Sequence, residues 1–195
     1  MDSEIKKDSC NWPGNNELMI QYHDEEWGVP VHNDRKLFEF IVLDGFQAGL
    51  SWSTVLNKRE NFRKAFDNFE AEAIAEYNER KIENLLQDAG IIRNKLKVLA
   101  TVNNAQKFLE VQKEFDSFDK YIWQFTGGKA IVNKWENFSD IPASSKESDN
   151  MSKDLKKRGF KFVGTTICYA FMQAAGMVND HLVYCKRYNE IIEME

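Results

Sequence analysis

Residues 148–176, SDNMSKDLKKRGFKFVGTTICYAFMQAAG, decide the fold. The segment starts near Ser148 with helical spacing and stops at Gly159, a natural helix end. FKFVGTT (160–166) then makes a tight turn, and TTICYAFMQAAG (165–176) is apolar nearly all round before closing at Gly176. A helix apolar on every side belongs in the centre of a core. The turn is also basic, through Lys153, Lys156, Lys157, Arg158 and Lys161. Backbone N–H groups at such a turn and at the following helix N-terminus suit an anion. A solvated basic helix end with a glycine stop fits the same residues.

The rest of the chain repeats the helical spacing. NDRKLFEFIVLDG (33–45) opens on the capping residues Asn33 and Asp34 and sets Leu37, Phe38, Ile41 and Val42 on one face. SWSTVLNKRENFRKAF (51–66) follows a cap at Ser51, and NERKIENLLQDAG (78–90) runs from Asn78 to a stop at Gly90. RNKLKVLATVNNAQKFLEV (93–111) presents Leu99, Val102 and Leu109. Strict apolar/polar alternation is scarce, so the class is all-α. FTGGKAIVNKWENFSDIPASS (125–145) interrupts it with a Gly127–Gly128 turn and a short extended run. No linker divides the 195 residues, and one domain spanning 1–195 is expected.

Hydrophobic residues at 43% and charged residues at 29% describe an ordinary globular chain. No apolar run is long enough to cross a bilayer. The start, MDSEIKKDSC, lacks an apolar signal region, and three cysteines are too few for a disulfide framework, so the cytosol is expected. A net charge of −5 argues against broad polyanion binding but leaves room for a local basic face.

Soft metal ligands stand near both ends: Cys10 and His23, then His181 and Cys185 in HLVYC (181–185). Zinc prefers this donor set in a closed tetrahedron, and on a helix the last two would share a face. Spacing alone also fits a terminal thiol, a surface histidine and a core cysteine. LDGFQAGLSW (43–52) carries Asp44 towards Gly45 and Gly49, which break the helix, and towards Trp52. A carboxylate near a large aromatic can begin a pocket, and Asp44 also fits a solvated helix end. Trp12, Tyr22 and Trp27 add aromatics with polar handles.

YHDEEWGVP (22–30), QAGLSW (47–52), LLQDAGIIRNKLK (85–97) and LKKRGFKFVGTTICYAFMQAAGMVNDH (155–181) closely resemble the 3-methyladenine DNA glycosylase I family. The resemblance runs from about Cys10 to Cys185. It implies the two-lobed, all-α helix-hairpin-helix glycosylase fold, with one structural zinc on Cys10, His23, His181 and Cys185 joining the termini. It implies that Lys161, Val163, Gly164 and Thr165 approach a DNA phosphate. Gly49 and Leu50 would fill the gap left by an extruded base; a buried loop leucine is the plainer reading of Leu50. Tyr22, Trp27, Asp44, Trp52 and Met19 would surround that base. The family typically carries Glu where this chain has Asp44, and an aromatic where it has Met19. Asp44 is one methylene shorter, and Met19 lacks a hydroxyl.

The expected activity is hydrolytic excision of 3-methyladenine from double-stranded alkylated DNA, by a monomer. N3-methylation makes the attached adenine cationic, so the base departs neutral and needs little acid catalysis. Selection then falls to a cation–π term of about 0.5–2 kcal/mol from Trp52 and to Asp44 as the functional carboxylate. Asp180, next to His181, is read as a supporting or capping residue. Two rivals remain: an inactive DNA-binding module of the same fold, and a protein-interaction domain using exposed aromatics.

Overall fold

The computed structural model describes residues 9–194; the reading of residues 1–8 as free of a signal region lies outside them. The chain folds into α1 (Glu17–Glu25), α2 (Asp34–Gln47), α3 (Trp52–Leu56), α4 (Arg59–Ala65), α5 (Ala71–Ala75), α6 (Glu79–Gln87) and α7 (Lys95–Phe115). There follow α8 (Phe118–Ile122), β1 (Ile131–Val132), α9 (Lys146–Lys157), α10 (Thr165–Ala174), β2 (Val178–Asn179) and α11 (Lys186–Ile192). Most helix starts are written in the sequence. Asn33, Ser51, Asn78 and Asn94 each accept a hydrogen bond from the backbone N–H three residues on. Ser145 and Ser148 form a capping box for α9.

Buried side chains form two clusters. The larger is rich in phenyl rings, with Phe38–Phe108 centroids at 4.9 Å, Phe46–Phe62 at 4.7 Å and Phe108–Phe118 at 4.4 Å. Each fully buried phenyl contributes roughly 1.5–3 kcal/mol. That packing holds five-residue helices such as α3, α5 and α8, which are too short to form alone. The smaller cluster gathers Cys10, Tyr22, Trp27, Leu56, Leu182 and Cys185, and Trp52 and Ile141 pack against both.

Several expectations need correction. α2 is buried continuously from Leu37 to Phe46, so it is a central helix like α10 and not a one-faced one. Gly45 does not break it: the helix runs on to Gln47, and Gly45 admits the turn residue Phe162, whose Cβ lies 3.4 Å from where a side chain at Gly45 would start. Gly90 is not the stop of α6, which ends at Gln87 with Asp88 as cap. Leu99 faces outward at 40% exposure; α7 buries Val98, Ala105 and Phe108 instead. HLVYC is a turn, closed by Cys185 N–H donating to Leu182 O at 2.7 Å, and the next helix begins at Lys186. The short extended run after Gly128 is β1, paired in parallel with β2 through Ile131–Val178 and Val132–Asn179.

Both glycine stops of the deciding stretch hold. Phe160 N–H reaches Leu155 O and Gly159 N–H reaches Lys156 O, each at 3.0 Å, with Gly159 at φ +93. This is a Schellman end. Gly176, at φ +69, ends α10 the same way. There the chain 28–31 lies so close that a Cβ on Gly176 would sit 2.3 Å from the carbonyl carbon of Val29. Gly176→Ala is therefore expected to cost about 3 kcal/mol or more in a denaturant melt; an unchanged midpoint would mean that this contact yields freely.

Candidate functional site

A cavity of about 130 Å³ opens where the two clusters meet, lined by Trp12, Tyr22, Trp27, Asp44, Gln47, Trp52, Phe138, Ala170 and Gln173. Helix α1 supplies Tyr22, and the turn after it supplies Trp27. The C-terminal half of α2 supplies Asp44 and Gln47, and Trp52 opens α3. The aromatic rings pack on one another. Tyr22 and Trp52 centroids are 5.1 Å apart, and Trp12 meets Trp27 edge-on at 5.2 Å. Met19 does not line the cavity; it packs, half-buried, against the cluster holding Tyr22 and Trp27.

Three of the lining residues carry a buried polar atom with no hydrogen-bond partner: Trp12 Nε1, Asp44 Oδ2 and Trp52 Nε1. Such atoms are costly to leave unpaired, and those that persist call for an explanation. Asp44 is only 2% exposed, which rules out the solvated helix end. Burial pushes its carboxyl well above the usual range, against the opposing pull of the Arg59 charge. The arrangement can take up a flat ring between indole and phenol faces and engage its polar edge through two N–H donors and one carboxyl.

Asp180 is buried, and its carboxylate accepts four hydrogen bonds. Asn133 Nδ2 and Trp135 Nε1 donate to Oδ1, both at 2.7 Å. The Tyr169 hydroxyl and Gln173 Nε2 donate to Oδ2, both at 2.8 Å. It thus joins the segment after β1 to α10, and fixes Gln173 in the cavity wall.

Beneath Tyr22 and Asp44 lies a buried ionic network. Arg59 donates to both Glu26 oxygens at 2.7 Å and to Glu39 Oε1 at 2.6 Å. Burial alone would raise the Glu26 carboxyl, but the bonds and charges of Arg59 and Lys36 override it and hold it at about 2. A depressed carboxyl stabilises the fold above its unfolded value near 4.5 and loses that contribution as pH falls towards 2. Between pH 5 and 2 the protein is expected to lose about 2 kcal/mol from this group, after allowance for its partial exposure. Glu26→Gln should flatten that limb of a pH series of urea melts; an unaltered limb would remove Glu26 as its source.

The four soft ligands come together from the two ends of the chain. Cys10 Sγ, His23 Nε2, His181 Nδ1 and Cys185 Sγ are all buried and lie within 4.8 Å of one another. Sulfur–nitrogen separations are 3.5 Å for Cys10–His181, 3.6 Å for Cys185–His181 and 3.7 Å for Cys185–His23. A tetrahedral zinc about 2.3 Å from sulfur and 2.0–2.1 Å from nitrogen would space them about 3.6 Å apart. The second ring nitrogens are held in the manner of ligating histidines: His181 Nε2 by Trp27 O at 2.9 Å and His23 Nδ1 by Asp24 at 2.7 Å. Hydrogen bonds from Cys10, His181 and His23 hold the Cys185 thiol well below its ordinary value, against the opposing effect of burial. The ring of His181 also packs edge-on against Trp27, so this cluster backs the cavity directly.

The turn between α9 and α10 packs Phe162 against Gly45 of α2. Lys161 is exposed; Gly164 caps α10 without a side-chain bond, leaving its first N–H groups free of a capping partner. Thr165 is half-buried, and its hydroxyl is bonded to Asp149 and Ser148. Val163 is 2% exposed and its carbonyl accepts from Ser152 Oγ at 2.7 Å, so its side chain is core and only its backbone N–H is on offer. Gly49, at φ +79, and Leu50, 43% exposed, project from the α2–α3 loop. Leu50 is therefore not a buried loop leucine.

Sequence reasoning left Gln47, Phe138, Ala170 and Gln173 out of the cavity, and named Trp12 only as an aromatic with a polar handle. Position along the chain gives no sign that 12, 138 and 173 converge. The β1–β2 pair and the Asp180 network place the segment before Phe138 beside Gln173, and Trp12 joins them by packing on Tyr22, His23 and Trp27.

An aromatic-walled cavity holding an unpaired buried carboxyl has the shape and polarity to suit a flat, polar-edged ring. The chain belongs to the methyladenine glycosylase family, whose model matches residues 12–188. It is 50% identical over 179 residues to DNA-3-methyladenine glycosylase 1 of Escherichia coli K12, covering 92% of this chain and 96% of that protein. It is 46% identical over 176 residues to the DNA-3-methyladenine glycosylase of Haemophilus influenzae, covering 90% and 95%. A solved Staphylococcus aureus 3-methyladenine DNA glycosylase I, studied for its recognition of 3-methyladenine, aligns with a TM-score of 0.89 at 34% identity, over 91% of this chain and 95% of that one.

Proposed function

We infer that the protein is a DNA glycosylase that extrudes and hydrolytically removes 3-methyladenine from alkylated duplex DNA. The observation that carries the reading is the cavity itself: indole and phenol walls around Asp44, with the Asp44 carboxyl and two indole N–H groups unpaired, in a chain matched by the methyladenine glycosylase family over residues 12–188.

A base must leave the duplex to reach such a cavity, at a cost of a few kcal/mol that damage reduces. The methylated adenine arrives as a cation. Stacking on indole faces stabilises it by about 0.5–2 kcal/mol, and the Asp44 carboxylate accepts from the exocyclic amine while its charge complements the ring. Neutral adenine gains neither term in full. The glycosidic bond breaks as water attacks the sugar carbon, and the base leaves neutral, so the residues select and position and do not need to donate a proton.

Leu50, exposed beyond Gly49, fills the vacated space in the stack. The turn 159–164 and the N-terminus of α10 take a backbone phosphate, with Lys161 adding attraction that salt weakens; this is the helix-hairpin-helix element of the fold. Cys10, His23, His181 and Cys185 hold one structural zinc ion, supported by their sulfur–nitrogen spacing and by the bonds on the far ring nitrogens. Zinc there would link the two chain ends and so keep Trp27 and Tyr22 in the wall. Incubation with N-methylated duplex DNA, with chromatography of the released bases, is expected to yield 3-methyladenine. Salt-sensitive DNA binding without any free base would instead mark an inactive module.

A further inference from the structure

The loop that carries Leu50 leaves the C-terminus of α2, where free carbonyls concentrate partial negative charge. Helix α2 has no basic residue in its own last turn. The compensating cation comes from α7. Lys97 is 7% exposed, and its ammonium donates to Phe46 O and Ala48 O, each at 2.7 Å. These carbonyls flank Gln47, which lines the cavity, and Ala48 directly precedes the Gly49–Leu50 tip. The tip closes on itself through Leu50 N–H to Gln47 O at 2.6 Å, and Ser51 then caps the helix that begins with Trp52.

The same helix grips the other loop. Asn104 is seven residues from Lys97, two turns along one face. Its Nδ2 donates to Lys161 O at 2.9 Å and its Oδ1 accepts from Lys161 N–H at 2.8 Å. Asn103 Nδ2 donates to Gly159 O at 2.9 Å. Phe162, directly after the anchored Lys161, sits at φ +55, a conformation that a bulky residue adopts only where its surroundings enforce it. A buried ammonium is expensive unless its donors are satisfied, so the two carbonyls and Lys97 fix one another.

We propose that Lys97 is a positioning residue for base excision: by clasping the carbonyls of Phe46 and Ala48, it sets the Gln47–Leu50 loop at a fixed distance from the turn that Asn104 holds. Cavity wall, wedge and phosphate-binding turn then meet one duplex in register. This rests on the glycosylase reading above, since only an enzyme that opens a duplex needs the wedge and the phosphate clamp spaced together.

The test compares Lys97→Met, which keeps the aliphatic stem without donors, with Lys97→Arg, which keeps charge and donors. Lys97→Gln serves where the Met variant does not melt cooperatively. Two readouts are taken: hydrogen exchange of the amides in 46–52, and single-turnover release of 3-methyladenine from a methylated duplex. Folded Lys97→Met is expected to exchange faster in 46–52 but not in α9 and α10, and to lose roughly 10²-fold in release, the scale of a misplacement near 1 Å. Lys97→Gln should lose about tenfold, and Lys97→Arg should restore most of both readouts. Release unchanged in a folded Met or Gln variant, or release lost with exchange in 46–52 unaltered, would overturn the proposal. Wild-type protein that frees no base fails the glycosylase reading instead, and the exchange comparison still stands.

Discussion

Asp44→Asn is expected to lower release of 3-methyladenine from alkylated DNA by roughly 10²-fold or more, while the variant melts at a higher temperature than the parent. Both effects have one cause. In the cavity wall Asp44 is 2% exposed, lacks a partner on Oδ2, and has its carboxyl pushed up by burial. A carboxyl raised in the folded state binds its proton more tightly there than in the unfolded chain. Stability is therefore full below the unfolded value of 3.8 and falls as pH rises through the folded value. At neutral pH the group costs stability, and a neutral amide of the same shape returns about 1 kcal/mol, or 2–4 °C in a chain of this length. With a cationic base bound, the sign reverses: the carboxylate acquires the charge partner it lacks, and removing a buried charged partner costs 2–5 kcal/mol. Activity should accordingly decline on the acid side as Asp44 takes up its proton, and the variant should lose that limb. Differential melting and single-turnover release check the two halves. A variant both fully active and no more stable would remove Asp44 from base recognition.

Cys185→Ser carries the second large effect. Cys10, the end of α1 and the turn 181–185 meet at the four candidate ligands, within the cluster that also holds Tyr22, Trp27 and Leu182. Structural zinc contributes folding free energy outright, about 10–16 kcal/mol in isolated zinc-binding peptides, and less where a core already exists. The variant is expected to purify without stoichiometric metal and to melt at least 10 °C lower, on the scale of several kcal/mol. Excision should fall with it, because His181 packs against Trp27 at 4.6 Å and the Trp27 carbonyl bonds His181 Nε2. Chelation of the parent should reproduce the change. A parent preparation free of metal with an unaltered melt would contradict the zinc assignment.

Much of this architecture was legible because caps and stops are local chemistry. Asn33, Ser51 and Asn78 cap the helices they precede, and Gly159 and Gly176 end theirs, as the side chains require. What escaped depended on distant partners. Gly45 looked like a breaker because its reason for being glycine, the approach of Phe162, lies more than a hundred residues away. Leu99 fits the helical stripe of α7, yet the tighter neighbours Val98 and Ala105 take the inner face. Four-residue spacing in HLVYC suited a helix, but a turn brings His181 and Cys185 just as close, 3.6 Å between ligand atoms. The carboxyl and aromatics of the cavity were visible as residue types. The burial of Asp44, and the convergence of Trp12, Phe138 and Gln173 on it, follow from tertiary packing alone.

Selection by charge is measured most directly by single-turnover release of 3-methyladenine and of unmodified adenine from one methylated duplex, with both products identified. Free 3-methyladenine should appear rapidly and adenine not at all on the same timescale. Release of neither base, or of both at similar rates, would contradict a cavity of indole walls and one carboxyl that selects for positive charge.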